Sequence, residues 1–392
     1  MFFRTSVYQQ RRIASPAVML LFLPCCNNKP AFPKRLLSGN TSPMPALLST
    51  LLQIFLAGTC GLVFAILGIP AAWLSGAMIA TIFWNMTAWS RPLPQPLVQT
   101  ALLLSGVTMG AGATPETLHA IERYPGSIAI LVAGVICITW ASSTWLVRIG
   151  RWPKEEAFFA SVPGALSAVI ATAVDRGSDV SRVILVQLLR LAALILLLPM
   201  LIAILGGKEQ LPFLIGEGMP VTGIYGFTAM LAGGWVAGTL FKWIRLAAPM
   251  LLGGMTLSTI LHVTGMTHGV VPPDIATFGL VLIGIFIGER FQGQSLEALR
   301  KVLPVAFGAL LISLGVSFLF AYAAARFAHA GFADALVAFA PGGLEAMMAL
   351  ALLLGLDPIY VGLHHIVRFL GIGFTLPLVA KYFGSSGPVR RP

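Results

Sequence analysis

The chain has 392 residues, of which 57% are hydrophobic and only 10% are charged, and its mean hydropathy of +0.88 excludes a water-soluble globular protein. The formal net charge is +11, but the 25 Lys and Arg residues are scattered between apolar stretches and form no contiguous basic face. This distribution argues against a nucleic-acid-binding protein. The composition therefore predicts an all-α integral membrane protein whose main partner is the lipid bilayer.

The first 43 residues differ from the rest because basic side chains surround one short apolar run, at residues 17–23. That run is too short to cross a bilayer. A signal sequence is an alternative, but no small-residue cleavage site follows. We expect residues 1–43 to be a basic leader, either disordered or encoded upstream of a natural start at Met44.

Apolar stretches recur along the remaining chain, and about twelve of them have the roughly 20 residues that a helix needs to cross about 30 Å of hydrocarbon. Clear examples are residues 46–67, 126–147, 183–205 and 305–325. The four cysteines have neither a metal-ligand spacing nor a disulfide framework. We therefore predict a polytopic protein without a metal or another cofactor.

An internal repeat divides the chain, because residues 163–190 align without gaps on residues 341–368, at an offset of 341 − 163 = 178. Eleven of the 28 aligned positions are identical, and the matches include Pro, Gly, Asp and Arg, which apolar composition alone does not supply. We predict membrane repeat 1 at residues 44–206, a linker at 207–220, membrane repeat 2 at 221–384 and a basic tail at 385–392.

The two repeats have opposite charge parity. Basic residues follow the second and fourth apolar segments of repeat 1, but the first and third segments of repeat 2. Since basic loops stay in the cytoplasm, this pattern is typical of inverted-topology repeats, each with an odd number of crossings. The fifth segment of each repeat, at residues 158–174 and 333–354, is interrupted by Pro-Gly. We expect about ten transmembrane helices and two re-entrant segments, with both termini in the cytoplasm.

Arg190 and Arg368 are equivalent in the two repeats, and each lies about eight residues into an apolar helix, where an unpaired cation costs at least ~2.5 kcal/mol. The arginines could bind a solute. Alternatively, they bind carbonyl groups of the broken segment or extend to the membrane surface. Both interpretations stay open from the sequence.

The Pro-Gly breaks start new half-helices, whose free N–H groups and positive dipole ends attract anions. Glu345 either complements that dipole or is a protonatable coupling group, and its counterpart is Ser167. His364 and His365 replace Val186 and Gln187 of repeat 1. The candidate substrate-binding residues are Pro163, Gly164, Ser167, Arg190, Pro341, Gly342, Gly343, Glu345, His365 and Arg368.

Three stretches resemble the AbrB family of duplicated bacterial inner-membrane proteins: residues 70–80 (PAAWLSGAMIA), residues 106–125 (GVTMGAGATPETLHAIERYP) and the two PG-x-L segments. The resemblance covers residues 46–383, and this chain departs from it at Ala165, where the family usually has a second Gly, as at Gly343. It implies a multi-pass inner-membrane location and a link to regulation of aidB expression. Members also carry the label ammonia monooxygenase.

We expect a non-enzymatic secondary transporter or permeation protein for a small solute, an anion being the class that two buried arginines favour. A membrane regulator of gene expression is the alternative. A monooxygenase is disfavoured because the sequence has no cluster of metal ligands. The solute, the coupling ion and the oligomeric state are left open, with a homo-oligomer among the options.

Overall fold

The computed structural model describes residues 45–382, except 88, 113–123, 165, 177, 207–219, 245 and 295. The leader, nearly all of the linker and the basic tail lie outside these residues. The described part is α-helical and contains no β-strand. Its helices are α1 (Ala46–Ile66), α2 (Ala72–Trp84), α3 (Gln95–Gly110), α4 (Tyr124–Arg148), α5 (Lys154–Ser161), α6 (Leu166–Asp175), α7 (Val180–Gly206), α8 (Ile224–Trp243), α9 (Pro249–Val263), α10 (Pro273–Gly288), α11 (Leu296–Phe327), α12 (Phe332–Phe339), α13 (Leu344–Leu353) and α14 (Pro358–Tyr382).

Six helices, namely α1, α4, α7, α8, α11 and α14, are long and apolar enough to cross a membrane by length and composition. Their outer faces carry large exposed apolar side chains such as Phe55, Trp140 and Leu319, which suit contact with lipid rather than with water. Helices α2, α3, α9 and α10 have 13 to 16 residues. At 1.5 Å per residue they are roughly 20–24 Å long, so the total of ten crossings stays a prediction.

The helices on either side of the linker follow one another in the same order. Helices α5 and α12 both have eight residues, α6 and α13 both have ten, and they start 332 − 154 = 178 and 344 − 166 = 178 positions apart. Helices α7 and α14 also start 178 positions apart, at Val180 and Pro358. The predicted offset of 178 positions therefore recurs in these helix starts.

Helices before the linker pack on helices after it: α3 packs on α9, and α10 packs on α2. We call these two pairs the exchanged helix contacts. Glycine makes both contacts close. A Cβ atom built on Gly106 would lie 2.0 Å from the carbonyl oxygen of Leu251, and one built on Gly284 would lie 2.6 Å from that of Leu74. Gly110 and Gly288 meet Met255 and Met78 in the same way. These glycines serve backbone contact, as small residues do in membrane helix pairs.

Helices α4 and α11, which hold equivalent places in the two predicted repeats, run antiparallel. A Cβ atom built on Gly126, near the start of α4, would lie 3.8 Å from the Cβ of Ala328, just after the end of α11. Near the other end of α4, the Trp145 Nε1–H donates to the carbonyl of Val305 at 3.1 Å. The two ends of α4, called below the Tyr124 end and the Arg148 end, thus define two opposite sides of the molecule.

Helices α5 and α6 form a hairpin, hairpin 1, whose base is at the Arg148 end. Glu155, at the start of α5, forms an ion pair with Arg176, just after α6. Glu156 accepts a hydrogen bond from the N–H of Asp179 at 3.3 Å. The start of α5 and the end of α6 are therefore on the same side of the molecule.

Helices α12 and α13 form the equivalent hairpin 2. The N–H of Asp357, after α13, donates to Asp334 Oδ1 at 2.7 Å, which joins the two ends of the hairpin. Tyr124 Oη also donates to Asp357 Oδ2, at 3.0 Å. The base of hairpin 2 is therefore at the Tyr124 end, opposite to that of hairpin 1.

A partly buried carboxylate holds the loop before α3. Glu289 Oε1 accepts from the N–H of Leu93 at 2.6 Å and from Gln53 Nε2 at 3.2 Å. Burial raises the pKa of Glu289 to about 7, although both hydrogen bonds oppose that rise. The contact ties the end of α10 to α1 and to the loop before α3.

Adding one methyl group at the exchanged helix contacts should destabilise the protein. We expect Gly106→Ala and Gly284→Ala each to lower the free energy of unfolding by about 1–3 kcal/mol, because the new Cβ forces two backbones apart. Thermal unfolding in detergent, followed by size-exclusion chromatography, measures the loss. Gly315→Ala in α11 is the matched control because its Cβ would meet nothing within 4 Å. Equal melting temperatures for all three variants would contradict this account of the contacts.

Candidate functional site

The tips of the two hairpins meet in the interior of the molecule. A Cβ atom built on Gly164 would lie 3.4 Å from Arg368 Nε and 3.8 Å from the carbonyl oxygen of Gly342. Gly164 has a positive φ of 82°, which favours glycine. Pro163 and Pro341 are buried beside these glycines. The two Pro-Gly breaks, 178 positions apart in sequence, thus form one junction.

Arg190 lies in α7, ten residues after its first residue and so roughly 15 Å along the helix. It is 5% exposed. Its Nη1 donates to the carbonyl of Ser161 at 3.2 Å, and its Nη2 donates to that of Val162 at 3.1 Å. Ser161 is the last residue of α5, and Val162 is the residue that follows it. Nε of Arg190 is buried and has no hydrogen-bond partner among the described residues.

Arg368 repeats the arrangement in the second half. Its Nη1 donates to the carbonyl of Ala340 at 2.6 Å, and its Nη2 donates to that of Gly342 at 2.7 Å. Nη2 also contacts Nδ1 of His365, whose Nε2 lies 3.2 Å from the carbonyl of Val337. Both side chains are buried. His365 is therefore part of the junction, on the α14 side.

The two guanidinium groups cap the inner carbonyl ends of α5 and α12. These ends carry partial negative charge and unpaired acceptors, and both would be costly away from water. The sequence left open whether the arginines bind a solute or backbone carbonyl groups; in the structure they bind carbonyl groups. The positive charge is still not neutralised by a carboxylate: within the described ranges, neither Arg190 nor Arg368 forms a salt bridge.

The remaining candidates lie beside the junction or outside the described side chains. Glu345, in the first turn of α13, is 3.4 Å from Arg290 Nη2 and forms an ion pair with it. A Cβ on Gly343 would lie 3.5 Å from Arg290 Nη1. The backbone of Ser167 is in α6, but its side chain is not among those described. Glu345 is thus already paired with Arg290. For Ser167, its predicted counterpart in repeat 1, the structure describes no side-chain contact.

A second polar cluster, which the sequence did not indicate, lies between the junction and the Tyr124 end. Ser127 Oγ of α4 forms a short hydrogen bond with Tyr360 Oη and lies 2.9 Å from His364 Nε2. The rings of Tyr360 and His364 are in contact, with centroids 4.0 Å apart and planes tilted by 36°. Ser127 and His364 are 237 positions apart in the chain, so no local motif could have joined them.

Cavities lie at the base of each hairpin. The cavity at the Arg148 end has about 490 Å³ and is lined by charged residues that include Arg151, Asp179, Arg182 and Lys301. The cavity at the Tyr124 end has about 110 Å³ and is lined by Tyr124, Asp334, Asp357 and Tyr360, among others. One side of the molecule is therefore mainly basic at its hairpin base, and the other is acidic.

Metal binding finds no support in the part of the chain that the structure describes, because no three His, Cys, Asp or Glu residues are grouped closely enough to hold an ion. Its free cysteines, Cys60 and Cys137, lie in α1 and α4. The junction contains two cations, Arg190 and Arg368, and several peptide carbonyl dipoles. Such a site can bind or repel charge.

Comparison with known proteins identifies one family. The family model described as "Transition state regulatory protein AbrB" matches residues 73–384. A protein of Escherichia coli strain K12 with the name "Putative regulator AbrB" is 27% identical over 333 residues, which cover 83% of this chain and 94% of that protein. "Uncharacterized protein YhjN" of Bacillus subtilis strain 168 is 22% identical over 355 residues, covering 84% of this chain and 92% of that protein.

Removing either guanidinium should destabilise the protein because two buried carbonyl groups would lose their donors. We expect Arg190→Met and Arg368→Met each to lower the free energy of unfolding by about 1–3 kcal/mol. The stability of Arg190→Lys and Arg368→Lys should lie between that of wild type and that of the Met variants, since an ammonium cannot form the same planar pair of hydrogen bonds. Thermal unfolding in detergent measures the order. The exposed Arg300→Met is the control; a loss at Arg300 as large as at the junction would refute the capping role.

Proposed function

This chain belongs to the AbrB family, and we propose that it is a multi-pass protein of the bacterial inner membrane that transports or conducts a small solute. We favour an anion as the solute class. The observation that carries the proposal is the junction, where two hairpins from opposite sides bring together two buried guanidinium groups. A site between the broken segments of two inverted repeats is a recurrent plan of secondary transporters.

Inverted repeats are supported by the direction of equivalent helices. Counterparts α4 and α11 run antiparallel, and hairpins 1 and 2 have their bases at opposite ends of α4. We propose that α1–α4, α7–α11 and α14 cross the membrane and that both hairpins re-enter from opposite faces. The four short helices would then cross where their mutual packing replaces part of the lipid contact, or where the bilayer thins around them.

Orientation follows from the charges at the two ends. Arg151 and Lys301 line the same cavity at the Arg148 end, although 150 positions separate them (301 − 151). Because basic segments stay in the cytoplasm, we assign the Arg148 end to the cytoplasm. The acidic cavity at the Tyr124 end then faces the periplasm. Both hairpin bases would be open to water, one on each side, as alternating access requires.

The preference for an anion follows from charge. Within the described residues, the two buried guanidinium groups are compensated by carbonyl dipoles and, at Arg368, by the imidazole of His365, but by no carboxylate. Nε of Arg190 also has a free proton to donate. A bound anion would supply the missing negative charge and accept this hydrogen bond. We propose no enzymatic activity and no nucleic-acid partner.

Regulation of gene expression is a second candidate, favoured by the name of the Escherichia coli relative. In this account, altered transcription follows from altered solute concentration. A direct regulator would act independently of transport. A transport-inactive variant that restores the transcript profile of a deletion strain would favour direct regulation.

Solute flux in proteoliposomes tests the proposal. We expect purified protein to move at least one member of a panel of inorganic phosphate, small mono- and dicarboxylates and amino acids, faster than protein-free vesicles. Arg190→Gln with Arg368→Gln should reduce that flux to background because the charge that attracts the solute is lost. Arg300→Met should leave it unchanged. Background flux for the whole panel with folded wild-type protein would contradict the proposal.

A further inference from the structure

We propose that His364 is the proton-binding site that couples solute movement to a proton gradient, and that it is loaded from the periplasmic cavity through Tyr360 and Ser127. This inference rests on the proposed transport function and names its coupling ion. It concerns the second polar cluster of Ser127, Tyr360 and His364. None of these three is among the predicted substrate-binding residues, although the next residue, His365, is.

The hydrogen bonds fix which nitrogen of His364 is free. Nδ1 lies 2.7 Å from the carbonyl oxygen of Tyr360, which can only accept, so Nδ1 carries the ring proton. Nε2 therefore has a lone pair, and it accepts from the Ser127 hydroxyl at 2.9 Å. The single proton of Ser127 is then used, so its oxygen accepts from the Tyr360 hydroxyl. All donors point towards His364.

This order allows a balanced proton relay. A proton from water in the cavity binds the Tyr360 oxygen, Tyr360 passes its own proton to Ser127, and Ser127 passes its proton to His364 Nε2. Both hydroxyls end neutral, and the imidazole gains one positive charge. No other reactant is needed. Reversal of the same steps returns the proton.

The entrance of the relay suits proton loading. Tyr360 lines the cavity of about 110 Å³ together with Asp334, Asp357 and Tyr124. Two carboxyl groups there create a negative potential that raises the local concentration of protons. Asp357 additionally holds the first turn of α14, because its Oδ1 accepts from the N–H groups of Ile359 and Tyr360 at 2.9 and 3.1 Å. The carboxylates and the relay thus share one rigid helix start.

The far end of the relay adjoins the junction. His364 precedes Arg368 by one helical turn on α14, and Tyr124 of α4 faces its ring with centroids 6.0 Å apart. His365 on the same helix contacts Arg368 directly. A proton on His364 would add a third cation beside Arg190 and Arg368, which an anion at the hairpin tips would offset. Proton and anion binding should therefore favour each other, and the coupled process is symport.

Only one half has this relay. The repeat-1 counterpart of His364 is Val186, and that of Tyr360 is Arg182. Arg182 forms ion pairs with Glu156 at 3.7 Å and with Asp179 at 3.1 Å, at the base of hairpin 1. The cytoplasmic side thus has a fixed salt-bridge cluster where the periplasmic side has transferable protons. The proposed relay therefore opens to one side of the membrane only.

Proton uptake by the purified protein tests the site without any solute. After a rapid change from about pH 8 to about pH 4, a pH-sensitive dye counts the protons bound. We expect wild type to bind one proton more than His364→Gln, whose amide can still accept from or donate to Ser127. Ser127→Ala and Tyr360→Phe should bind as many as wild type but more slowly. The exposed His268→Gln is the control: it should also lower the count by one, but it should leave solute flux driven by a proton gradient at the wild-type level.

Flux under a proton gradient tests the coupling. With the anion panel used above, an outside pH one unit more acidic should drive up to about tenfold accumulation of a monovalent anion, and His364→Gln should abolish it. Flux that ignores the gradient, with equal proton counts for wild type and His364→Gln, would overturn the coupling while the transport function stands. A one-proton difference without flux of any solute would support the site but count against transport.

Discussion

The carbonyl groups at the inner ends of α5 and α12 need donors, because they belong to buried residues and no further helical turn follows them. Arg190 and Arg368 supply those donors from the neighbouring long helices α7 and α14. Each arginine thereby fixes how deep its hairpin reaches, and Gly164 lets the two tips approach closely. The position of the junction, and of any solute bound there, depends on these four hydrogen bonds.

Exchanged helix packing provides the rigid frame for that junction. The contacts of α3 with α9 and of α10 with α2 leave no room for a Cβ atom at Gly106 or Gly284, so each half is held by helices of the other. A frame of this kind keeps the two hairpins opposed. The bases of the hairpins differ instead, with ion pairs around Glu155 and Glu156 at hairpin 1 and the carboxyl groups of Asp334 and Asp357 at hairpin 2.

Much of the architecture was predictable from local sequence because Pro-Gly interruptions and periodic apolar stretches act over a few residues. The breaks at Pro163 and Pro341 are where the helices end and restart, and the offset of 178 positions recurs in the helix starts. Gly106 and Gly284 were recognisable as contact residues only by type; their partners, 145 and 210 positions away (251 − 106 and 284 − 74), depend on the tertiary fold.

The site was harder to predict because it depends on long-range contacts. The sequence could place Arg190 and Arg368 in the membrane but could not choose between solute and carbonyl partners. The sequence predicted that Glu345 complements a helix dipole or binds a coupling proton. It could not predict the ion pair with Arg290, 55 positions earlier (345 − 290). Ser127 carried no signal, since a serine in an apolar helix usually bonds its own backbone, whereas here its hydroxyl joins Tyr360 to His364.

The central claim is that the two halves run in opposite directions through the molecule. Disulfide formation between Gly126→Cys and Ala328→Cys, in a chain whose native cysteines are replaced, tests it most directly. The built Cβ of Gly126 lies 3.8 Å from the Cβ of Ala328, a distance that a disulfide spans. We predict rapid cross-linking of this pair in membranes and none between Gly126→Cys and Leu299→Cys, near the start of α11. Cross-linking to position 299 instead of 328 would mean parallel halves and would contradict the account.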